Sequence, residues 1–146
     1  MVGSVLFRFL SSVDDFSIKG KVYAYDMNDT LISMYKFIQN QHDELYSEVI
    51  KIVDTYKNCD GEDKNRNPLT IDEAKKSKEN YYYWIRKKFN EINDKTTLKS
   101  CALFVFLNKT CFRGLYRCGP NGFNVAYGHY TNPEIINKQH LTKIHF

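Results

Sequence analysis

Apolar residues recur along this chain at spacings that mark one element after another. Val5, Leu6, Phe7, Phe9 and Leu10 predict a short apolar helix capped by Ser4, although their density leaves a strand open as well. Lys21-Val22-Tyr23-Ala24-Tyr25-Asp26, rich in aromatic and β-branched positions and ended by a carboxylate, predicts a strand. A helix follows, capped by Asn28 or Asp29, with Leu31, Met34, Tyr35 and Ile38 at helical spacing. The same period resumes at Leu45, Val49, Ile52, Val53 and Tyr56.

The pattern then breaks. Residues 58–69 are polar and charged up to Pro68, punctuated by Gly61, and predict a linker between a first part, 1–57, and a second, 70–146. Thr70-Ile71-Asp72-Glu73 fits a capping box, in which a threonine oxygen and a glutamate each satisfy an orphan backbone donor. It predicts a helix running to about Asn90, with Ala74, Tyr81, Trp84, Ile85 and Phe89 on its apolar side. Leu98 to Leu107 reads as a buried element whose type the pattern leaves open, its length and flanks favouring a helix. Two short aromatic runs flank Gly119-Pro120-Asn121-Gly122, which predicts a hairpin over 115–127.

Composition narrows the picture. The 146 residues are 42% hydrophobic and 26% charged, which is globular rather than disordered. The longest apolar run, Cys101 to Leu107, is far short of the roughly 20 residues a spanning helix needs. No basic segment precedes Val5-Leu6-Phe7, so no export signal is expected. A soluble intracellular protein of the cytoplasm, nucleoid or nucleus is the expectation, with no membrane partner. The richness in Lys, Asn, Ile and Tyr fits an AT-rich genome, a viral one included. Cys59, Cys101, Cys111 and Cys118 form no Cys-x-x-Cys pair, and the four histidines form no zinc-binding pair, so neither a disulfide scaffold nor a metal site is expected.

Charge is unevenly spread. Residues 1–60 carry six basic and nine acidic side chains; residues 61–146 carry fifteen basic and eight acidic ones. A basic C-terminal part suits a polyanion. Within it, Asn108-Lys109-Thr110-Cys111-Phe112-Arg113-Gly114-Leu115-Tyr116-Arg117 interleaves cations with planar and apolar groups and leads into the hairpin. DNA readers use that mixture, because guanidinium groups pair with phosphates or guanine edges and apolar groups wedge beside bases. A solvated surface hairpin over a small core is the plain alternative. Asp26, at the end of the expected strand, stands where an α/β nucleotide site places a ribose-binding carboxylate, with Gly3 upstream. It would equally serve as an acidic start to the next helix.

The string from Ala102 to Arg117, then Gly122 to Tyr130 and Asn132-Pro133-Glu134, resembles the target-recognition segment of Dam-type DNA adenine-N6 methyltransferases. Tyr25 to Ile32 is similar to that family's ribose-binding segment, Gly3-Ser4-Val5 to the end of its cofactor loop, and Tyr82 to Asn90 to its aromatic–arginine–Phe-Asn helix. The resemblance implies a partial Rossmann-like core for S-adenosylmethionine and a mainly helical recognition part ending in a hairpin, an α/β fold. It implies that Gly3, Ser4 and Asp26 belong to the cofactor site. Lys109, Phe112, Arg113, Leu115, Tyr116, Arg117, Asn124, Tyr127 and His129 would contact double-stranded DNA. Arg117 would read a base, Leu115 touch one, and Phe112 fill the gap left by an adenine flipped out for methylation.

Departures from the family pattern accompany these matches. The first cofactor-loop glycines and the Asp-Pro-Pro-Tyr motif do not occur, and Pro68, Pro120 and Pro133 are each isolated. Arg113 replaces the commoner asparagine, Ala126 a proline and His129 a frequent arginine. No catalytic residue is assigned. The expectation is a methyltransferase fragment, inactive alone. The alternatives are a DNA-binding module without transfer activity, a split half whose partner chain carries the missing motif, and an unrelated α/β domain.

Overall fold

Cys101 to Leu107 is apolar on nearly every side, and a helix with no polar face has to be surrounded. The computed structural model, which describes residues 19–144, satisfies that demand. Helix α5 (Leu98–Thr110) lies at the centre, with α1 (Asp29–Asn40), α2 (His42–Lys57) and α4 (Lys78–Glu91) packed against it. Cys101, Ala102, Leu103, Phe104, Phe106 and Leu107 are all buried there. The short α3 (Ile71–Ala74) leads into α4, and α6 (Lys138–Ile144) rests on α1 and α2. Lys138 Nζ reaches Asp43 Oδ1 at 3.1 Å, which holds that carboxyl below its usual range. Among the described residues the sheet is one antiparallel pair, β1 (Cys118–Gly119) with β2 (Gly122–Phe123).

The cap expected at Asn28 forms, its Oδ1 accepting the Leu31 N–H at 3.2 Å, and Thr97, which the sequence reading did not single out, caps α5 by accepting the Ser100 N–H on Oγ1 at 3.2 Å. Each such cap contributes about 1 kcal/mol. Thr70 Oγ1 accepts the Glu73 N–H at 3.2 Å, while Glu73 Oε2 reaches back to the Leu69 N–H at 2.7 Å.

Three expectations need correction or placement. The continuous helix from Thr70 to Asn90 is two helices, α3 and α4. Ser77 is the cause: its buried hydroxyl accepts the Asn80 N–H at 3.1 Å, capping a fresh helix, and donates to the Asp63 carbonyl at 2.5 Å. The strand expected at Lys21–Asp26 does not form, and Val22 and Tyr25 are 45% and 89% exposed. A strand holds only where a neighbour accepts its ladder, and none of the described residues runs alongside. The described residues therefore make a mixed helical fold with a small antiparallel sheet, and the Rossmann-like sheet is not among them. The helix expected near Ser4–Leu10 lies outside the described residues, as do Gly3 and Ser4.

Segment 58–69 is stitched onto α4 by polar contacts. The Asn65 N–H donates to Asn80 Oδ1 at 2.7 Å, Asn80 Nδ2 donates to Asp63 Oδ2 at 2.7 Å, and Arg66 Nε donates to Glu79 Oε1 at 3.2 Å. Asn80 is fully buried, and its oxygen and both amide hydrogens are engaged, the second hydrogen donating to the Glu73 carbonyl at 3.1 Å. One apolar cluster draws on residues from both sides of this segment, Leu45 and Val49 from α2 as well as Phe89 and Phe106.

Candidate functional site

The stretch after α5 leaves the core and returns to it. At its base Cys111 and Tyr127 form an antiparallel bridge, with the Phe112 N–H donating to the Ala126 carbonyl and the Gly128 N–H to the Thr110 carbonyl, both at 2.8 Å. Residues 112–126 are thus a closed excursion. A single 3₁₀ turn, Phe112–Gly114, begins it, and the β1–β2 hairpin forms its tip. The sequence expectation of a hairpin within 115–127 matches β1 and β2, with the Asn124 N–H also donating to the Arg117 carbonyl at 3.1 Å.

Helix α4 braces this loop from one side. Tyr82, Arg86 and Asn90 follow one another at four-residue steps and so share a face. Tyr82 Oη and Arg86 Nη1 both donate to the Val125 carbonyl, at 2.8 and 3.1 Å. Asn90 holds both backbone groups of Phe123: its Oδ1 accepts the N–H at 2.9 Å and its Nδ2 donates to the carbonyl at 3.0 Å. Asn90 thereby acts as a surrogate strand. A side chain at Gly122 (φ +92°) would place its Cβ 2.6 Å from Asn90 Oδ1, so glycine is required there. From inside, the rings of Phe89, Phe104, Tyr116 and Phe123 meet in a chain of contacts at 5.7–6.4 Å.

What the loop leaves outside is cationic and apolar at once. Phe112, Arg113, Leu115, Arg117 and Asn124 are exposed, Phe112 at 46% and Leu115 at 50%. The Arg113 guanidinium lies 5.0 Å from the Phe112 ring centre. Lys109, Arg113 and Tyr116, with Tyr130, line one wall of an open cleft of about 630 Å³. The N-terminal half of α1 forms the other wall through Asn28, Leu31, Met34 and Tyr35. Among the described residues the lining contains two cations and no carboxylate. Burial lifts the Tyr35 and Tyr116 hydroxyls, one on each wall, above the usual phenol range.

The other residues singled out from the sequence are placed differently. Tyr127, expected to touch DNA, is only 7% exposed; its hydroxyl meets Tyr56 Oη at 2.6 Å in the core, so it supports the surface and is not part of it. His129 is exposed but leans edge-on against the Tyr127 ring at 4.7 Å, with Nε2 3.8 Å from Glu79 Oε2. Asp26 lies on the exposed stretch before α1, where its Oδ1 accepts the Asn28 N–H at 2.8 Å. Asn28 in turn lines the cleft. Asp26 alone does not make a cofactor site: no other residue expected there is among those described. Sequence reading missed Tyr35, Asn90 and the bracing role of Arg86. The four-residue steps of Tyr82, Arg86 and Asn90 were the available signal, whereas nothing local marked Tyr35 as facing Tyr116.

Among the described residues no group of His, Cys, Asp and Glu is suited to a metal, and no helix is long and apolar enough to cross a membrane. Comparison with known proteins identifies the family of the chain. The chain is 38% identical over 144 residues to the type II methyltransferase M.MjaIII of Methanocaldococcus jannaschii, covering 97% of this chain and 44% of that protein. It is 39% identical over 59 residues to the retron Ec67 DNA adenine methylase of Escherichia coli, 40% of this chain and 21% of that one. It is 28% identical over 109 residues to the DNA adenine methylase of Escherichia coli strain K12, 74% of this chain and 32% of that one. The chain therefore spans less than half the length of each of these relatives. The family model for D12 class N6 adenine-specific DNA methyltransferases matches residues 3–146, and the chain belongs to that family.

Proposed function

We propose that residues 108–130 are the duplex-contacting surface of an adenine-N6 methyltransferase, with Arg117 reading a base, Leu115 touching one and Phe112 filling the space beside a displaced adenine. The observation that carries this reading is the exposure of Phe112 and Leu115 beside Arg113 and Arg117 on a loop closed at its base and braced by α4. Large apolar groups held in water beside cations are costly for a monomer and suit insertion into a groove. Lys109 and Arg113 supply phosphate contacts, and Arg113 and Tyr116 connect the loop to the cleft.

The family's methyl donor is S-adenosylmethionine, and in this reading Asp26 would meet its ribose. The described residues offer that cofactor no further contact, and the 146 residues contain no Asp-Pro-Pro-Tyr. The proposed role of this chain alone is therefore binding and recognition, without transfer. Duplex binding at increasing salt tests it. Lys109→Ala is expected to weaken binding to all duplexes alike and flatten the salt dependence by about one charge. Arg117→Ala is expected to weaken the preferred sequence selectively. Labelled methyl transfer by the chain alone is expected to be undetectable; turnover would overturn the inactive reading, and equal losses for both variants would remove Arg117 from the reader role.

A further inference from the structure

Arginine presents two hydrogen-bonding edges, one made by Nε with Nη2 and one made by the two terminal nitrogens. In Arg117 the first edge is occupied. Nε donates to Asn124 Oδ1 at 2.7 Å and Nη2 leans on the Asn124 carbonyl at 3.4 Å. Both residues are exposed on the hairpin, and the Asn124 N–H closes the pair by donating to the Arg117 carbonyl at 3.1 Å. Asn124 is itself fixed, because Phe123 before it is gripped by Asn90 and the Val125 carbonyl after it by Tyr82 and Arg86.

We infer that Asn124 is a positioning residue for specificity: it holds the Arg117 guanidinium so that only the fork of its two terminal nitrogens faces outward, the geometry that pairs with O6 and N7 of a guanine. This inference rests on the duplex-contact reading above. A freely rotating arginine satisfies phosphates at any sequence; one restrained to its terminal fork discriminates, because bidentate pairing to the major-groove edge of guanine is geometrically selective. Preordering also reduces the entropy lost on binding.

The test uses the full chain and a randomised duplex pool, sequenced before and after retention at low salt. The wild-type chain is expected to enrich a guanine at one position. Arg117→Ala is expected to lose that enrichment, and Asn124→Ala to reduce it about tenfold among the duplexes that are still retained. Asn124→Asp keeps an oxygen for Nε and is expected to preserve the guanine preference while lowering total retention, since it adds a negative charge. Rescue of preference by Asp separates orientation of Arg117 from a general loosening of the hairpin. If Asn124→Ala keeps the full preference while Arg117→Ala loses it, the positioning role is overturned and the duplex-contact reading stands. If the wild-type chain retains no duplex, or retains all sequences equally, both are overturned.

Discussion

Tyr56 and Tyr127, 71 residues apart in sequence, meet hydroxyl to hydroxyl at 2.6 Å inside the core. The contact ties α2 to the point where the loop of residues 112–126 rejoins the body, and Tyr127 also packs on the Tyr82 ring at 5.3 Å. The loop's base is therefore fastened to two helices, and what it presents outward is held by what it buries.

Removing one of these hydroxyls leaves the other buried without a partner. Tyr56→Phe is expected to destabilise the fold by about 1–3 kcal/mol, the cost of an unsatisfied buried group. Tyr56→Phe combined with Tyr127→Phe should cost less than the two single changes added together, because no orphan remains. Urea denaturation of the three variants measures both quantities, and strict additivity would show that the hydroxyls do not act as a pair.

Alkaline pH should unfold the protein through its buried phenols. Burial raises Tyr56 and Tyr82 well above the ordinary phenol value of 10.0, and the contact with Tyr127 adds to the effect at Tyr56. Burial also pushes the Cys101 and Cys111 thiols up, to about 12 and about 11. Above the unfolded values the unfolded chain releases protons that the folded chain retains, so stability falls as pH rises. It is fully present below those values. The urea midpoint is expected to be independent of these groups at neutral pH and to decline above about pH 9, where the unfolded thiols and then the phenols ionise. Part of the tyrosinate absorbance should appear only together with loss of helical ellipticity. Complete phenol ionisation in a chain that stays folded would contradict the burial of Tyr56 and Tyr82.

Arg113 sits in the left-handed region, φ 56° and ψ 19°, directly before Gly114 at φ 61°. That conformation costs a β-carbon-bearing residue about 1 kcal/mol, and asparagine tolerates it better than most. Asparagine is also the residue that the Dam-type pattern favours here. Arg113→Asn is thus expected to raise stability by about 0.5–1 kcal/mol and to lower duplex affinity at low salt with a shallower salt slope. Thermal denaturation and salt titration read the two effects independently. A destabilised variant would show that the guanidinium's contact with Phe112 outweighs the backbone strain.

Local pattern was enough to reveal α1 and α2, the caps at Asn28 and Thr70, and the hairpin, but not α6 or the caps at Ser77 and Thr97. Asn28 and Thr70 cap because of the residues three positions on, and Gly119-Pro120-Asn121-Gly122 turns because of its own backbone preferences. The stretch Leu98–Leu107 announced a buried element, and its length and flanks favoured a helix without deciding it. The break at Ser77 was less legible, because the partner of its hydroxyl is the Asp63 carbonyl, and no helical period reports a contact across a loop. The strand at 21–26 failed for the complementary reason: β-propensity describes side chains, whereas a strand exists only if another segment accepts its hydrogen bonds.

The candidate site divides in the same way. The sequence by itself determined the chemistry of the surface, an alternation of cations and rings from Lys109 to Arg117, and through its motifs the family to which the chain belongs. Only the tertiary structure decided that Tyr127 faces inward to Tyr56, that Asn90 grips the backbone of Phe123, and that Arg117 shows one edge of its guanidinium because Asn124 takes the other. Residue type sets which bonds are available; which of them are made depends on distances between segments remote in sequence, and those are fixed only when the core closes around α5.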